Sequence, residues 1–187
     1  MAGVELDPAL HGALRLSLAL LLLAASQHKV RDFAGFRAAL GEYRLLPARW
    51  ASGGAALLLL AELGTGIALL LPGVARAAAL AAALLLLLYS AAIGINLARG
   101  RREIDCGCAG AGARRPLSEA LIARNGLLIA VAATCALPPA GRTLVWLDAL
   151  TVTGGAAALA LLYGALDAAL ENAPRLRELR GRTWSMR

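Results

Sequence analysis

Aromatic residues make up only 4% of this chain of 187 residues, and charged residues only 17%. So few charges against 59% hydrophobic residues are too few to solvate the surface of an ordinary soluble domain. The scarcity of rings means that apolar segments must meet through small residues, and the 20 glycines fit that demand. Gly53, Gly54, Gly64, Gly66, Gly94, Gly154 and Gly155 are the expected positions of close helix contact. Three cysteines are too few for the disulfide framework of a small secreted domain. There is no Ser/His/Asp set, no phosphate-cradling glycine loop and no paired-histidine zinc motif, which removes the soluble hydrolase, kinase and metalloprotease classes.

What the chain has instead is long apolar runs. A bilayer core of about 30 Å needs about 20 apolar residues in a helix. Runs of that kind lie at about 8–26, 50–71, 75–98, 118–137 and 144–170. The fold class expected is therefore all-α, a polytopic membrane helical bundle of five spans over residues 1–172. Pro72 and Gly73 call for a tight turn between the second and third spans, and Pro138, Pro139 and Gly141 for another between the fourth and fifth. Glu5 and Asp7 precede the first span where a signal peptide would be basic, so this span is expected to be retained. After it, Phe33, Phe36, Leu40 and Tyr43 recur at helical spacing over about 32–45, the pattern of a helix lying in the interface, with Asp32 as its N-cap. Residues 173–187 read as a mobile basic tail against anionic lipid.

The net charge of +7 is a topology signal and not a nucleic-acid footprint, because the basic residues sit between apolar runs and no soluble domain displays them. Fifteen of the 19 Lys and Arg residues fall in the segments 29–49, 99–115 and 175–187, all on one side of a five-span chain. Arg76 and Arg142 fall on the other side, and Arg15 and Arg124 inside spans. The positive-inside rule then puts the N-terminus outside, the C-terminus in the cytoplasm, and the loop 99–117 with it.

That loop carries the most informative motif, Asp105-Cys106-Gly107-Cys108. Two thiols one residue apart close a disulfide only through a very small ring, and the glycine supplies the backbone freedom that closure needs. A strained, exposed bridge of this kind is reducible and suited to exchange. Arg99, Arg101, Arg102, Arg114 and Arg115 favour the thiolate, and Asp105 opposes it. The same thiols could instead collect a soft metal ion, or be two unreactive cysteines. Cys135, alone in an apolar helix, reads as packing. Ionisable groups inside spans are costly, so Glu62 and Arg15, at similar depth, are expected to pair, as a structural or a proton-handling element. Asn96 and Arg124, with Asn125, are expected to line a polar pocket beneath the thiols, the alternative being interfacial snorkelling by Arg124. His28 and Lys29 close the first span at the interface.

These residues resemble the MauE/DoxX group of bacterial redox-associated membrane proteins. The resemblance runs from about Leu16 to Leu137. It includes His28-Lys29, Phe33-Ala34-Gly35-Phe36, Tyr43-Arg44-Leu45-Leu46-Pro47, Glu62, Tyr89, Asn96 to Gly100, the Asp-Cys-Gly-Cys motif and Arg124-Asn125. It implies a DoxX-like four-helix core, with the fifth span added, in a bacterial inner membrane. It also implies thiol-disulfide chemistry in the maturation of a partner, a thioredoxin-like or disulfide-containing client protein, with methylamine utilisation as the setting. The loop here continues Ala109-Gly110 where the family commonly has an aromatic residue. The leading expectation is a membrane thiol-disulfide oxidoreductase, or an accessory to one, with a quinone as a candidate electron acceptor. A small-molecule or soft-metal carrier and a non-catalytic assembly scaffold are the rivals.

Overall fold

The computed structural model describes residues 6–107 and 116–184, with side chains up to Ala169 and at Asn172. Cys108, Arg114 and Arg115 lie outside the described residues, as does the end of the tail. The described residues form six α-helices: α1 (Pro8–Arg31), α2 (Phe33–Glu42), α3 (Ala51–Leu70), α4 (Ala75–Ala98), α5 (Glu119–Cys135) and α6 (Trp146–Trp184). No strand is present among the described residues. The protein is an all-α, polytopic membrane protein.

Local chemistry sets the helix ends. Asp7 starts α1 by accepting from the amides of Ala9 and Leu10, with Pro8 in the first turn, where its missing N–H costs nothing. Asp32 ends α1 and starts α2, its Oδ1 accepting from Gly35 N at 2.8 Å. Pro72 to Val74 make a single 3-10 turn between α3 and α4, as the Pro-Gly pair requires. At the end of α4, Gly100 takes φ +72°, and the Arg101 amide returns to the Asn96 carbonyl, a C-terminal motif that needs a residue tolerant of left-handed backbone.

Among the described residues, four segments are long and apolar enough to cross a bilayer: Pro8–Arg31, Ala48–Leu70, Pro72–Ala98 and Trp146–Ala169. The expected fourth span is shorter, a helix of 17 residues, or about 26 Å. It nevertheless connects the two ends of the bundle. At its start Leu117 N bonds to Arg102 O beside the end of α4, and at its finish the Cys135 carbonyl bonds to His11 Nε2 near the start of α1.

α1 lies at the centre, against α3, α5 and α6, while α4 packs along α5 and against α3. The core between them is mostly Leu and Ala, including Leu18, Leu22, Leu69, Ala79, Ala82 and Leu86. α6 sits outside this four-helix core on α1, and its apolar outer side chains, such as Leu161 and Leu162, face outward where lipid would lie. The close glycine contacts are fewer than expected. A Cβ on Gly66 would lie 3.0 Å from Leu23, and one on Gly155 3.1 Å from Ala13, but Gly53, Gly64 and Gly154 face open space.

Two connections differ from the sequence expectation. The link between α5 and α6 is no tight turn, because residues 136–145 pair with the N-terminus through Ala140 N to Leu6 O and use Arg142 to bind Asp7 and Asp148. α6 also continues without a break through residue 172, where a separate tail was expected, and the backbone is helical to Trp184.

Candidate functional site

The site begins with α2, whose apolar spacing turns Phe36, Ala39, Leu40 and Tyr43 toward the bundle. Arg101 holds its C-terminal end. The guanidinium donates to the Glu42 carbonyl at 2.8 Å, to the Tyr43 carbonyl at 3.4 Å and to Asn96 Oδ1 at 3.0 Å, placing a cation where the α2 dipole is negative. Tyr43, so placed, donates from its hydroxyl to the Cys106 carbonyl at 3.3 Å. Cys106 is buried, packed with Tyr43, Ile93, Ile104, Leu117 and Leu121. An exposed thiol loop was expected. The loop is drawn inward because Asp105 pairs with Pro116 across its neck and apolar residues on either side enter the core.

Gly107 adopts φ +68°, and its amide donates to Asp105 Oδ1 at 3.1 Å. A Cβ there would lie 3.5 Å from the Phe36 ring, so the thiol loop rests directly on α2. Of the arginines expected to favour a thiolate, two are engaged elsewhere, and Arg114 and Arg115 lie outside the described residues. Arg102 pairs with Glu119 at 2.5 Å, whose carboxylate raises the guanidinium pKa, and Arg101 is occupied as described, while Arg99 is exposed.

Glu62, 1% exposed in the middle of α3, pairs with Lys29 and not with Arg15. Helix register explains the correction. Gly66 faces Ala19 and Leu23 of the antiparallel α1, so Glu62, one turn before Gly66, lies toward the C-terminal end of α1. Arg15 is on the far side of Ala19, roughly 15 Å away along the axis at 1.5 Å per residue. Lys29 is one turn beyond the level of Glu62, and helical side chains lean toward the N-terminus, so its stem reaches back. Tyr89 of α4 donates to the same Glu62 Oε1 at 2.6 Å. The Lys29 ammonium lies 5.0 Å from the Phe36 ring centroid and 5.1 Å from that of Tyr89. Two ring faces thus replace part of the water that the buried cation gives up. Glu62 Oε2 is buried without a hydrogen-bond partner among the described residues.

Between the thiol loop and this ion pair is a cavity of about 890 Å³. Lys29, Tyr89, Cys106 and Gly107 all line it, and Phe36 lies against both Lys29 and Gly107. Its walls are otherwise apolar, and it opens past Trp50, Leu57 and Leu88, which are 59%, 68% and 52% exposed.

Among the described residues, Asn96 and Arg124 are not brought together beneath Cys106. Asn96 is turned to Arg101, and Arg124 to α6, where it meets Asp167 at 3.0 Å and the Tyr163 ring. A buried guanidinium needs a carboxylate, and Asp167 of α6 supplies one. Sequence reasoning took Lys29 for a topology residue. The missed signal is that it is the only lysine among 19 basic residues, at the end of an apolar span, in a chain whose central glutamate needs a cation.

The family model for the methylamine utilisation protein MauE matches residues 7–138. The chain belongs to the MauE family. It is 38% identical to the methylamine utilization protein MauE of Paracoccus denitrificans, over 90% of this chain and 95% of that protein. It is 39% identical to the protein of the same name from Paracoccus versutus, over 87% and 88%. With that of Methylophilus methylotrophus it shares 38% over 89% of each. No solved structure matches. The matched region ends at Pro138, before α6, which is where the structure also separates the four-helix core from its outer helix.

Proposed function

We propose that this MauE-family chain is a membrane thiol-disulfide redox protein, an oxidoreductase or its accessory, serving a disulfide-containing partner in methylamine utilisation through Cys106 and Cys108. The supporting observation is the placement of Cys106 in the wall of an apolar cavity, held by Tyr43 and by the left-handed Gly107. In the exchange, a thiolate of the pair attacks one sulfur of a partner disulfide and releases the other as a thiolate. The second cysteine then attacks the mixed disulfide, closing the Cys106–Cys108 bridge and leaving the partner with two thiols. The reverse sequence delivers a disulfide to the partner.

The charge distribution favours an inner-membrane orientation with the N-terminus outside and the thiol loop cytoplasmic, where the reducing pool would make the bridge transient. Reassigning Lys29 to the buried pair leaves the asymmetry of the remaining arginines intact.

Single Cys106→Ser and Cys108→Ser chains expressed in cells growing on methylamine should trap a mixed disulfide with a partner, visible on a non-reducing gel. Full complementation by the double variant would sink the redox reading. Sidedness is read with a membrane-impermeant thiol reagent on intact cells in a Cys135→Ser background. Protection until permeabilisation supports the cytoplasmic placement, and ready labelling reverses it.

A further inference from the structure

We infer that the cavity between α2, α3 and α4 holds one anionic phospholipid, with an acyl chain inside and the phosphate on Arg44 and Arg49 at the mouth. The inference stands apart from the redox reading, since it uses only the depth, lining and charge of this part of the bundle.

The depth is set by α3. Its spanning segment begins at Ala48, and Trp50, 59% exposed, marks the level between headgroups and hydrocarbon where an indole prefers to sit. From Trp50 the cavity wall continues along the helix through Gly53, Gly54, Leu57 and Leu58, which is about 12 Å toward the bilayer interior at 1.5 Å per residue. The cavity thus runs inward from the headgroup level, the course that an acyl chain takes below its own headgroup. Its volume of about 890 Å³ is that of a ligand pocket, and walls so apolar are filled by hydrocarbon in preference to water.

The charge is set by the connection between α2 and α3, Arg44-Leu45-Leu46-Pro47-Ala48-Arg49-Trp50. Leu45, Leu46, Pro47 and Trp50 line the cavity. Arg44 and Arg49, next to them in the chain, are exposed, and neither is in an ion pair among the described residues. No acidic residue lies between Tyr43 and Trp50. Arg44 adopts φ +50°, backbone that favours Gly or Asn, so an arginine at this position is not explained by the turn it makes.

The headgroup stays at the mouth. Lys29 is the one charged residue among those lining the cavity, and its ammonium is already paired with Glu62, so an anion drawn inside would be buried without a cation of its own. Two unpaired arginines beside an apolar slot select an anionic phospholipid over a zwitterionic one, whose own cation would crowd the same place, and over free phosphate, which would leave the slot empty. Each arginine near the surface is worth about a fivefold gain in affinity for an anionic lipid.

The test uses the full chain in detergent with Trp146→Phe and Trp184→Phe, which leaves Trp50, at the cavity mouth, as the sole tryptophan. Phosphatidylglycerol with one dibrominated acyl chain should quench its fluorescence saturably, and with about tenfold or more higher affinity than phosphatidylcholine carrying the same chain. Added salt should narrow that difference. Arg44→Asn with Arg49→Gln, in which asparagine tolerates the left-handed backbone, should bring the two lipids to within about twofold of each other. Gly53 and Ala92 line the cavity from α3 and α4, and a Cβ on Gly53 meets nothing within 4 Å. Gly53→Phe and, separately, Ala92→Leu should therefore weaken both lipids at near-normal thermal midpoint.

Equal affinity for the two lipids in the unsubstituted arginine background overturns the headgroup assignment. Quenching that is linear in lipid, or untouched by both filling variants, overturns the cavity as its seat. Displacement by equimolar decylubiquinone would make a neutral apolar ligand the occupant, and displacement by inorganic phosphate would reduce the arginines to a simple anion site; either result overturns the proposal. Where a filling variant does not fold, the arginine variant and the salt dependence still decide.

Discussion

Lys29 at the end of α1 and Glu62 in the middle of α3 form a buried ion pair, 4% and 2% exposed at their side chains, that joins the two helices, and Lys29 also lines the cavity. Tyr89 adds α4 to the same oxygen, so three helices converge on one carboxylate. In a site this dry, removing one partner strands the other's charge. Lys29→Met or Glu62→Leu alone should cost roughly 3–5 kcal/mol, whereas the double variant should recover much of that loss. Thermal midpoints in detergent check this. Arg15→Met, outside the pair, should fall well short of either single variant.

The seam between α1 and α6 makes a sharper steric test. Gly155 approaches Ala13 closely while its neighbour Gly154 faces open space. Gly155→Leu should push α6 away from α1 and lower stability by about 1–3 kcal/mol, and Gly154→Leu should stay within about 0.5 kcal/mol. Limited proteolysis in the link between α5 and α6 would report the separation directly. Equal effects at the two positions would contradict the packing described.

Cys106 and Cys135 are both buried, at 8% and 2% exposure, yet they should differ in function. Placing a hydroxyl in either apolar setting should cost about 1–3 kcal/mol, so both serine variants should melt somewhat early. Only Cys106→Ser should stop the complete reduction of a model disulfide such as glutathione disulfide to two thiols, halting at the mixed disulfide. Cys135→Ser should keep the rate within about twofold.

Asp7 and Arg142 tie the N-terminus to the link between α5 and α6, with Nε to Oδ2 at 2.9 Å. The hydrogen bond from Arg142 holds the Asp7 carboxyl below its ordinary value of 3.8. A carboxyl depressed in the folded state stabilises it above the unfolded pKa, and the contribution disappears as pH falls through the folded value. The thermal midpoint of the unsubstituted protein should therefore exceed that of Asp7→Asn at pH 6. The gap should narrow on acidification below pH 3.8 and shrink with added salt, because both groups are exposed. A gap that persists unchanged at pH 2 would contradict the pairing.

Hydropathy over 20-residue windows needs no knowledge of neighbours, and for that reason the apolar runs, the tight Pro72-Gly73 turn and the amphipathic face of α2 were all legible in the sequence. So were the Asp7 and Asp32 caps, since capping is settled within four residues. The candidate site was legible only as a motif. Asp105-Cys106-Gly107-Cys108 stands out in the sequence, but its local pattern does not reveal that Ile104, Cys106 and Leu117 enter the core.

The pairing of charges was beyond sequence reasoning. Glu62 plainly needed a cation, and the sequence offered both Arg15 and Lys29. Arg124 needed a carboxylate that lay on a helix 43 residues further along the chain. Depth counted from the span ends favours Arg15, because the sequence records neither the axial offset between α1 and α3 nor how far α1 continues. The close approach of Gly66 to Ala19 and Leu23 sets that offset, and the backward lean of the Lys29 side chain does the rest. Composition and short-range chemistry alone determined that this chain is a bundle of membrane helices with a thiol loop. Only tertiary packing decided which charges meet and that a cavity joins them to Cys106, because both depend on helix register, which arises between segments far apart in the chain.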